Sequence, residues 1–404
     1  MSPSTPAAPS SQARGADPGS GPRPSFVVPT YPFDRLRPIA ELASAHRGGT
    51  VDLSVGTPCD PPPRAVIDAL AHSGAERGYP PGVGSPAMLD AARDLLERLF
   101  GAVIERSQLA ACIGTKELVA GLPHWLRLRH PTLDTVLYPA VSYPTYEMGA
   151  RLAGCRAVPV PAREDGTLDL DSISDDDAAR ALCLFVNSPS NPTGALDDLG
   201  GAASWGRRRG VLVCSDECYT ELTLDGPPRS ILEHGSDGVL ALHSLSKRSN
   251  CAGLRAGFYA GDGDVVRYLS ELRRHAGFMV PGPIQAAAAT AWRDDVHVRE
   301  QLERYRERLA LLVELLASVG IPAGLPAGGF YLWVRAPERA RGAESPAWSL
   351  TRFLATSAGA LVSPGEFYGP DGADHVRIAA VQPLERLALL GERLRSTGAA
   401  GGTW

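Results

Sequence analysis

Only two of the 40 basic residues in this chain are lysines, Lys116 and Lys247, so any chemistry that needs a primary amine has two possible seats. Lys247 lies in HSLSKRSNCAGLRAGF (243 to 258), flanked by Ser244, Ser246 and Arg255, with Gly253 and Gly257 allowing close backbone approach. Hydroxyls and a guanidinium suit a phosphate. An amine set among them suits a cofactor that carries both an aldehyde and a phosphate, since the lysine can form an imine while its neighbours hold the anion. Taken alone, the segment could also be a surface lysine beside a serine-rich turn. A second segment, SDECYTEL (215 to 222), closes the apolar run VLVCSD and puts Asp216 at the carboxyl edge of a sheet, where α/β proteins bind ligands. A carboxylate there can keep a pyridine nitrogen protonated, and Tyr219 can donate to a phenolate oxygen of the same ring. An Asp at a strand end can equally cap the next helix. The third segment, NSPSNPTGA (187 to 195), is a tight turn whose Asn side chains point back at the sheet edge. Each is unspecific by itself; their order along the chain is what carries the reading.

Such residues need a sheet to aim them. Between Asp52 and about Val280, apolar runs alternate with helical patterns: ACIG (111 to 114), DTVLYP (134 to 139), ALCLFVN (181 to 187), VLVCSD (211 to 216) and GVLALHS (238 to 244). Runs buried on both faces are what a parallel sheet covered by helices requires, which predicts a doubly wound α/β domain over 51–293. Val298, Leu302, Tyr305, Leu309, Leu312, Leu316 and Val319 then recur at helical spacing, predicting a long bridging helix that ends at Gly320. Short strands (FYLWV at 330 to 334, HVRIAA at 375 to 380) with helices near 346 to 359 and 383 to 395 complete a small α+β domain over 294–404. Residues 29–50 form an N-terminal segment expected to pack on that small domain. Residues 1 to 28, rich in Ser, Pro, Ala and Gly, cannot bury enough surface to offset ordering and read as a disordered tail.

A net charge of -5 without basic blocks argues against nucleic acid, and no stretch has the length and apolarity of a membrane helix. A cytoplasmic protein is expected. Seven cysteines, an odd number without a Cys-x-x-Cys pair, read as reduced thiols and not as a disulfide framework or metal site.

Together the motifs resemble those of the fold-type I, pyridoxal 5′-phosphate-dependent aminotransferases of class I and II, over nearly the whole chain from about Tyr31 to Leu394. The resemblance implies the aspartate aminotransferase-like fold, with Lys247 as the imine lysine and Asp216 on the pyridine nitrogen. It implies Asn191 and Tyr219 on the phenolate oxygen, and Ser244, Ser246 and Arg255 on the phosphate. In GTKELVAG (114 to 121), Thr115 and the Lys116 amide resemble the phosphate-binding start of a helix. Tyr143, within YPAVSYPTYEMGARLAG (138 to 154), looks like the residue that stacks on the cofactor ring. Tyr79 resembles the tyrosine lent to a neighbouring subunit's phosphate, which implies a homodimer with active sites at the subunit interface. Arg377 falls where the family keeps the arginine that grips the substrate α-carboxylate, with Asn187 and Gly56 also at the substrate; a salt-bridged strand arginine is the other reading.

Several stretches, among them VDLSVGTPCDP, IGTKELVAGLP, HSLSK and LVSPGEFYGP, are similar to actinobacterial N-succinyl-diaminopimelate aminotransferases. That branch exchanges an amino group between glutamate and a keto dicarboxylate. Arg248, the loop Pro81-Gly82-Val83 and Thr220-Glu221-Leu222-Thr223 depart from the branch pattern, so the site for a distal carboxylate stays open, with Arg248, Arg273, Arg274 and Lys116 as candidate cations. The same cofactor on the same fold also supports elimination or replacement at Cβ or Cγ of a substrate like S-adenosylmethionine. A third alternative is a PLP-fold domain that only senses an amino acid.

Overall fold

The computed structural model describes residues 26–338 and 344–396. Most of the expected N-terminal tail, residues 1–25, lies outside the described residues. The chain opens with helix α1 (Arg37–Ala45) and the short strand β1 (Val51–Asp52), and helices α2 (Arg64–Ala71) and α3 (Pro86–Phe100) lead to β2 (Leu109–Cys112). Alternation follows: α4 (Thr115–Arg129), β3 (Thr135–Pro139), α5 (Thr145–Leu152), β4 (Arg156–Val160), α6 (Asp175–Ala179), β5 (Ala181–Asn187), α7 (Leu199–Arg209) and β6 (Leu212–Asp216). Next come β7 (Val239–Ser244), the single turn α8 (Leu245–Arg248), β8 (Gly257–Gly261), α9 (Gly263–His275), α10 (Gly282–Trp292) and the long α11 (Val296–Ser318). The last elements are β9 (Tyr331–Arg335), α12 (Pro346–Ala358), β10 (Ala360–Leu361), β11 (Ser363–Pro364), β12 (His375–Ala379) and α13 (Leu384–Ser396).

Seven strands form one sheet in the order β2-β8-β7-β6-β5-β3-β4. Its neighbours are parallel except for β8, which runs antiparallel to both β2 and β7. All of β5 and β7 is buried, because side chains on both faces meet helices. Leu184 and Val186 pack with residues of α2, α3, α7 and α10, whereas Cys183 and Phe185 pack with α4, α5 and α9. That two-sided burial is why these strands read as unbroken apolar runs instead of alternating ones.

A second core collects Tyr305, Leu309, Leu312 and Leu316 of α11 with Leu332 and Val334 of β9, Leu350 and Leu354 of α12, Ile378 of β12 and Leu387 of α13. Strands β11, β12 and β9 make an antiparallel sheet there, and β1 pairs in parallel with β10. Val51 and Leu53 therefore sit in this second core, and the chain reaches the seven-stranded sheet only beyond them. Helix α1 packs through Ile39 and Ala43 against Ala355, Leu361 and Phe367.

Candidate active site

Strands β5, β6 and β7 end on Asn187, Asp216 and Ser244, so three parallel strands deliver three polar residues to one sheet edge. There the chain leaves β7 into the single turn α8, which carries Ser246 and Lys247, and an open cavity of about 360 Å³ lies beneath. Lining it are Gly56, Thr115, Lys116, Tyr143, Asn187, Asn191, Asp216, Tyr219, Ser244, Ser246, Lys247, Arg255 and Arg377. Every candidate site residue except Tyr79 is thus brought to one place. Tyr79 stands 98% exposed on the loop before α3, away from this cavity. The lining carries four cations, Lys116, Lys247, Arg255 and Arg377, against one carboxylate, Asp216. Such a balance favours ligands bearing several negative charges.

One end of the cavity gathers donors suited to a phosphate. Ser244 Oγ donates to Ser246 Oγ (2.9 Å) and accepts from the Ser246 amide (3.1 Å). The 15-residue helix α4 begins at Thr115, pointing free amide donors at the same space. Gly114, at φ 68°, makes the turn into that helix, and a Cβ added there would come within 2.4 Å of Arg255 Nη2. Arg255 itself donates from Nη1 to Ala252 O (2.9 Å).

At the opposite wall, Asp216 accepts from Tyr146 Oη at Oδ2 (2.9 Å) and from the Cys218 amide at Oδ1 (3.2 Å). Burial pushes its carboxyl above the usual range, and the bonds from Cys218 and Tyr146 offset this only in part. A cationic partner would bring it down again. Tyr219 shares a hydrogen bond with Tyr331 (Oη to Oη, 3.0 Å), and burial together with Tyr331 pushes its phenol up. Lys247 Nζ donates to the carbonyl of Gly56. Position 56 also requires a glycine, since a Cβ there would lie 1.9 Å from Tyr331 Oη.

Arg377 forms the floor. It is 3% exposed, sandwiched between Tyr331 (4.1 Å to the ring centre) and Tyr368 (4.8 Å), and donates to Asn191 Oδ1 (2.9 Å) and Ser54 O (2.6 Å). Its buried Nε has no hydrogen-bond partner among the described residues. An orphaned donor on a buried guanidinium calls for an anion that the chain does not supply. A line of hydrogen bonds joins this grip to the carboxylate wall: Asn191 N to Asn187 Oδ1 (2.8 Å), then Asn187 Nδ2 to Asp216 O (2.8 Å).

Two candidate distal cations are spent elsewhere. Arg248 is 4% exposed and bonds Glu221 and Asp295 on the far side of α8, and Arg273 is fully engaged with Glu117 (Nη1 to Oε2, 2.9 Å) beneath Trp125 and Phe278. Arg274 is exposed beside Gly82 and does not line the cavity. Lys116 does. Its Nζ meets Tyr31 Oη (3.3 Å) and lies over the rings of Tyr31 (5.1 Å) and Tyr143 (5.8 Å). Burial pulls its amine down, but the phenols of Tyr143 and Tyr31 outweigh this and leave it above the ordinary lysine value. Two of the three departures, Arg248 and the Thr220-Glu221-Leu222-Thr223 stretch, therefore explain each other, because Glu221 and Arg248 are partners in one buried ion pair.

Sequence reasoning missed Tyr146, Tyr331, Cys218, Tyr31 and Phe33, all of which line the cavity. Tyr146 follows Tyr143 by one helical turn, a spacing that could have paired them; Tyr331 was hidden inside the apolar run FYLWV.

The fold, the cationic cavity at the carboxyl edge and the amine within it define a cofactor-dependent group-transfer site. The family model described as aminotransferase class I and II matches residues 49–391, and the chain belongs to this family. It is a pyridoxal 5′-phosphate-dependent transaminase with the aspartate aminotransferase-like fold. It is 43% identical over 389 residues to a probable aminotransferase of Mycobacterium tuberculosis, covering 94% of this chain and 88% of that one. It is 40% identical over 375 residues to the 4-dedimethylamino-4-oxo-anhydrotetracycline transaminase OxyQ of Streptomyces rimosus, covering 91% and 99%. Among solved structures, the probable N-succinyldiaminopimelate aminotransferase of Thermus thermophilus superposes with a TM-score of 0.81 at 32% identity, covering 90% of this chain and 99% of that one. No helix among the described residues is long and apolar enough to cross a membrane.

Proposed function

We propose that this transaminase exchanges an amino group between glutamate and a keto dicarboxylate of the N-succinyl-LL-2,6-diaminopimelate type. The observation that carries the proposal is the division of labour among the four cavity cations. Lys247 is committed to the cofactor aldehyde and Arg255, with Ser244, Ser246 and Thr115, to its phosphate; Arg377, with Asn187, takes the α-carboxylate. Lys116 then remains at the mouth for a second carboxylate. The name of the Thermus relative is in keeping with such a substrate.

In this reading Asp216 holds the ring nitrogen protonated, while Asn191 and Tyr219 hold the phenolate oxygen and Tyr143 covers the ring. The bound cofactor supplies an aldehyde that receives the amino group and a ring that withdraws electrons from Cα. The chain's own task is the proton: Lys247 Nζ, set free when the substrate amine takes its place at the aldehyde, would take the proton from Cα as base and give it up again as acid. Arg377 fixes the α-carboxylate so that the Cα proton faces that amine. Tyr79, projecting from the surface, is assigned to the phosphate of a second copy in a homodimer.

The test is turnover of the holoenzyme with glutamate, N-succinyl-diaminopimelate and S-adenosylmethionine, each read by mass spectrometry. Release of 2-oxoglutarate and the keto product from the first two supports the proposal. Amino transfer from glutamate without use of the diaminopimelate compound overturns the acceptor. Loss of methylthioadenosine from the third alone moves the chemistry to Cγ.

A further inference from the structure

Arg248 follows Lys247 directly, yet its side chain turns away from the cavity and is almost fully buried. Its guanidinium donates to five acceptors: Glu221 Oε1, Ser249 Oγ (3.3 Å), Ala291 O, Asp294 O (3.3 Å) and Asp295 Oδ1 (3.0 Å). These acceptors belong to separate elements. Glu221 sits in the 3-10 turn immediately after Tyr219, Ala291 in the last turn of α10, and Asp294 and Asp295 in the link between α10 and α11. Asp295 is fixed from a further side by Arg98 of α3, through Nε (2.7 Å) and Nη2 (2.9 Å).

The opposite flank of the lysine is tied to the same helix. Gly56, whose carbonyl receives the Lys247 amine, is followed four residues later by Asp60, which Arg308 of α11 grips with both terminal nitrogens (2.6 and 2.7 Å). Gln301 of α11 also donates to Asp60 (2.8 Å) and accepts from Asn250, three residues beyond Lys247 (3.2 Å). Both walls of the lysine are thus anchored on α11, through Gln301 near its start and Arg308 at its middle. A buried fork that binds five acceptors on several elements constrains orientation far more than a single contact does.

We infer that Arg248 is a positioning residue for the transamination. It locks the α8 turn against the Tyr219 turn and the α10–α11 link, and so sets where the Lys247 amine stands in the cavity. The inference rests on the reading of Lys247 as the proton-transferring lysine. Removing the fork would leave the cavity lining chemically intact while freeing the turn that carries the amine. Misplacement by about an ångström can cost roughly a hundredfold in rate.

The experiment measures kcat and KM for glutamate, per bound cofactor, with isotopically labelled 2-oxoglutarate as the amino acceptor, in holoenzyme carrying Arg248→Met, Arg248→Lys, Glu221→Gln or Lys247→Ala. The expected result for Arg248→Met is a fall in kcat of about tenfold to a hundredfold with KM within about twofold of the parent. Arg248→Lys, which keeps the charge without the fork, should recover only part of the loss. Glu221→Gln leaves the arginine in place and loosens one of its bonds, so it should lower kcat by about threefold; it serves as the deciding variant if Arg248→Met does not fold. Normal kcat per bound cofactor in Arg248→Met, or in Glu221→Gln where that variant decides, overturns the inference. Lys247→Ala separates the two levels: an inert Lys247→Ala beside a fully active Arg248→Met removes the positioning role alone, whereas an active Lys247→Ala removes the reading beneath it.

Discussion

Asp216 is a carboxylate that folding alone does not favour: burial raises its pKa, and only a cationic partner would reverse the penalty. With the folded value above the unfolded one, ionisation weakens the apoenzyme as pH rises from the ordinary carboxylate value through the raised one. Asp216→Asn should therefore raise the melting temperature of the apoenzyme at pH 7 while cutting kcat by at least about a hundredfold, the scale of a lost electrostatic stabiliser. Calorimetry of the apo form beside turnover of the holo form checks both signs, and a destabilised apoenzyme would contradict the burial argument. Arg377 offers the complementary case. Arg377→Lys keeps a charge but not the fork, and should weaken glutamate binding by about 2 kcal/mol or more, roughly thirtyfold, with cofactor content unchanged. Unaltered affinity would return Arg377 to a purely structural place in β12. These residues were legible because each sits in a short motif with its own chemistry. Tyr146 and Tyr331 were not, because a tyrosine inside an apolar run shows nothing of which way its hydroxyl points.

At the scale of elements, the strands that carry Asn187, Asp216 and Ser244 were readable, since burial on both faces leaves a continuous apolar run. Two strands of the seven-stranded sheet escaped. β4 lies at the sheet edge with Pro159 inside it and is partly exposed, so it lacks that run. β8 reads GFYAG, and its glycines look like a turn following the lysine motif. The expected strand at 111 to 114 in fact spans Leu109–Cys112, because the backbone at Gly114 already turns into α4. This turn can be tested. In Gly114→Ala the backbone at φ 68°, ψ 160° costs about 1–3 kcal/mol and the new methyl must displace the Arg255 guanidinium. The expected outcome is a pyridoxal phosphate affinity lowered by about tenfold in titrations of the apoenzyme, with the fold retained. Unchanged affinity would mean that Arg255 does not serve the phosphate.

At the scale of the whole molecule the cavity draws on both sheets: Asp216 ends β6 and Lys247 follows β7 of the seven-stranded sheet, and Tyr331 and Arg377 come from β9 and β12 of the smaller one. The proposed second copy would complete the site. Sedimentation at micromolar concentration should give twice the chain mass, and Tyr79→Ala should loosen the cofactor even though Tyr79 touches no part of its own cavity. Full cofactor retention in that variant would remove the tyrosine from the site. What no motif could convey was Lys116 clasped by Tyr31, because the two are 85 positions apart.

The scarcity of lysine has a practical side. Both side-chain amines of the chain open on one cavity, so a reagent that acylates lysine side chains meets only the two residues proposed as working parts. An ordinary surface-labelling ester would behave here as an affinity label without having been designed as one, and bound cofactor and dicarboxylate would shield the protein from it. Fluorophores, resins and cross-linkers that couple through lysine would silence this transaminase, whereas the abundant arginines and the exposed Cys59 leave other handles free.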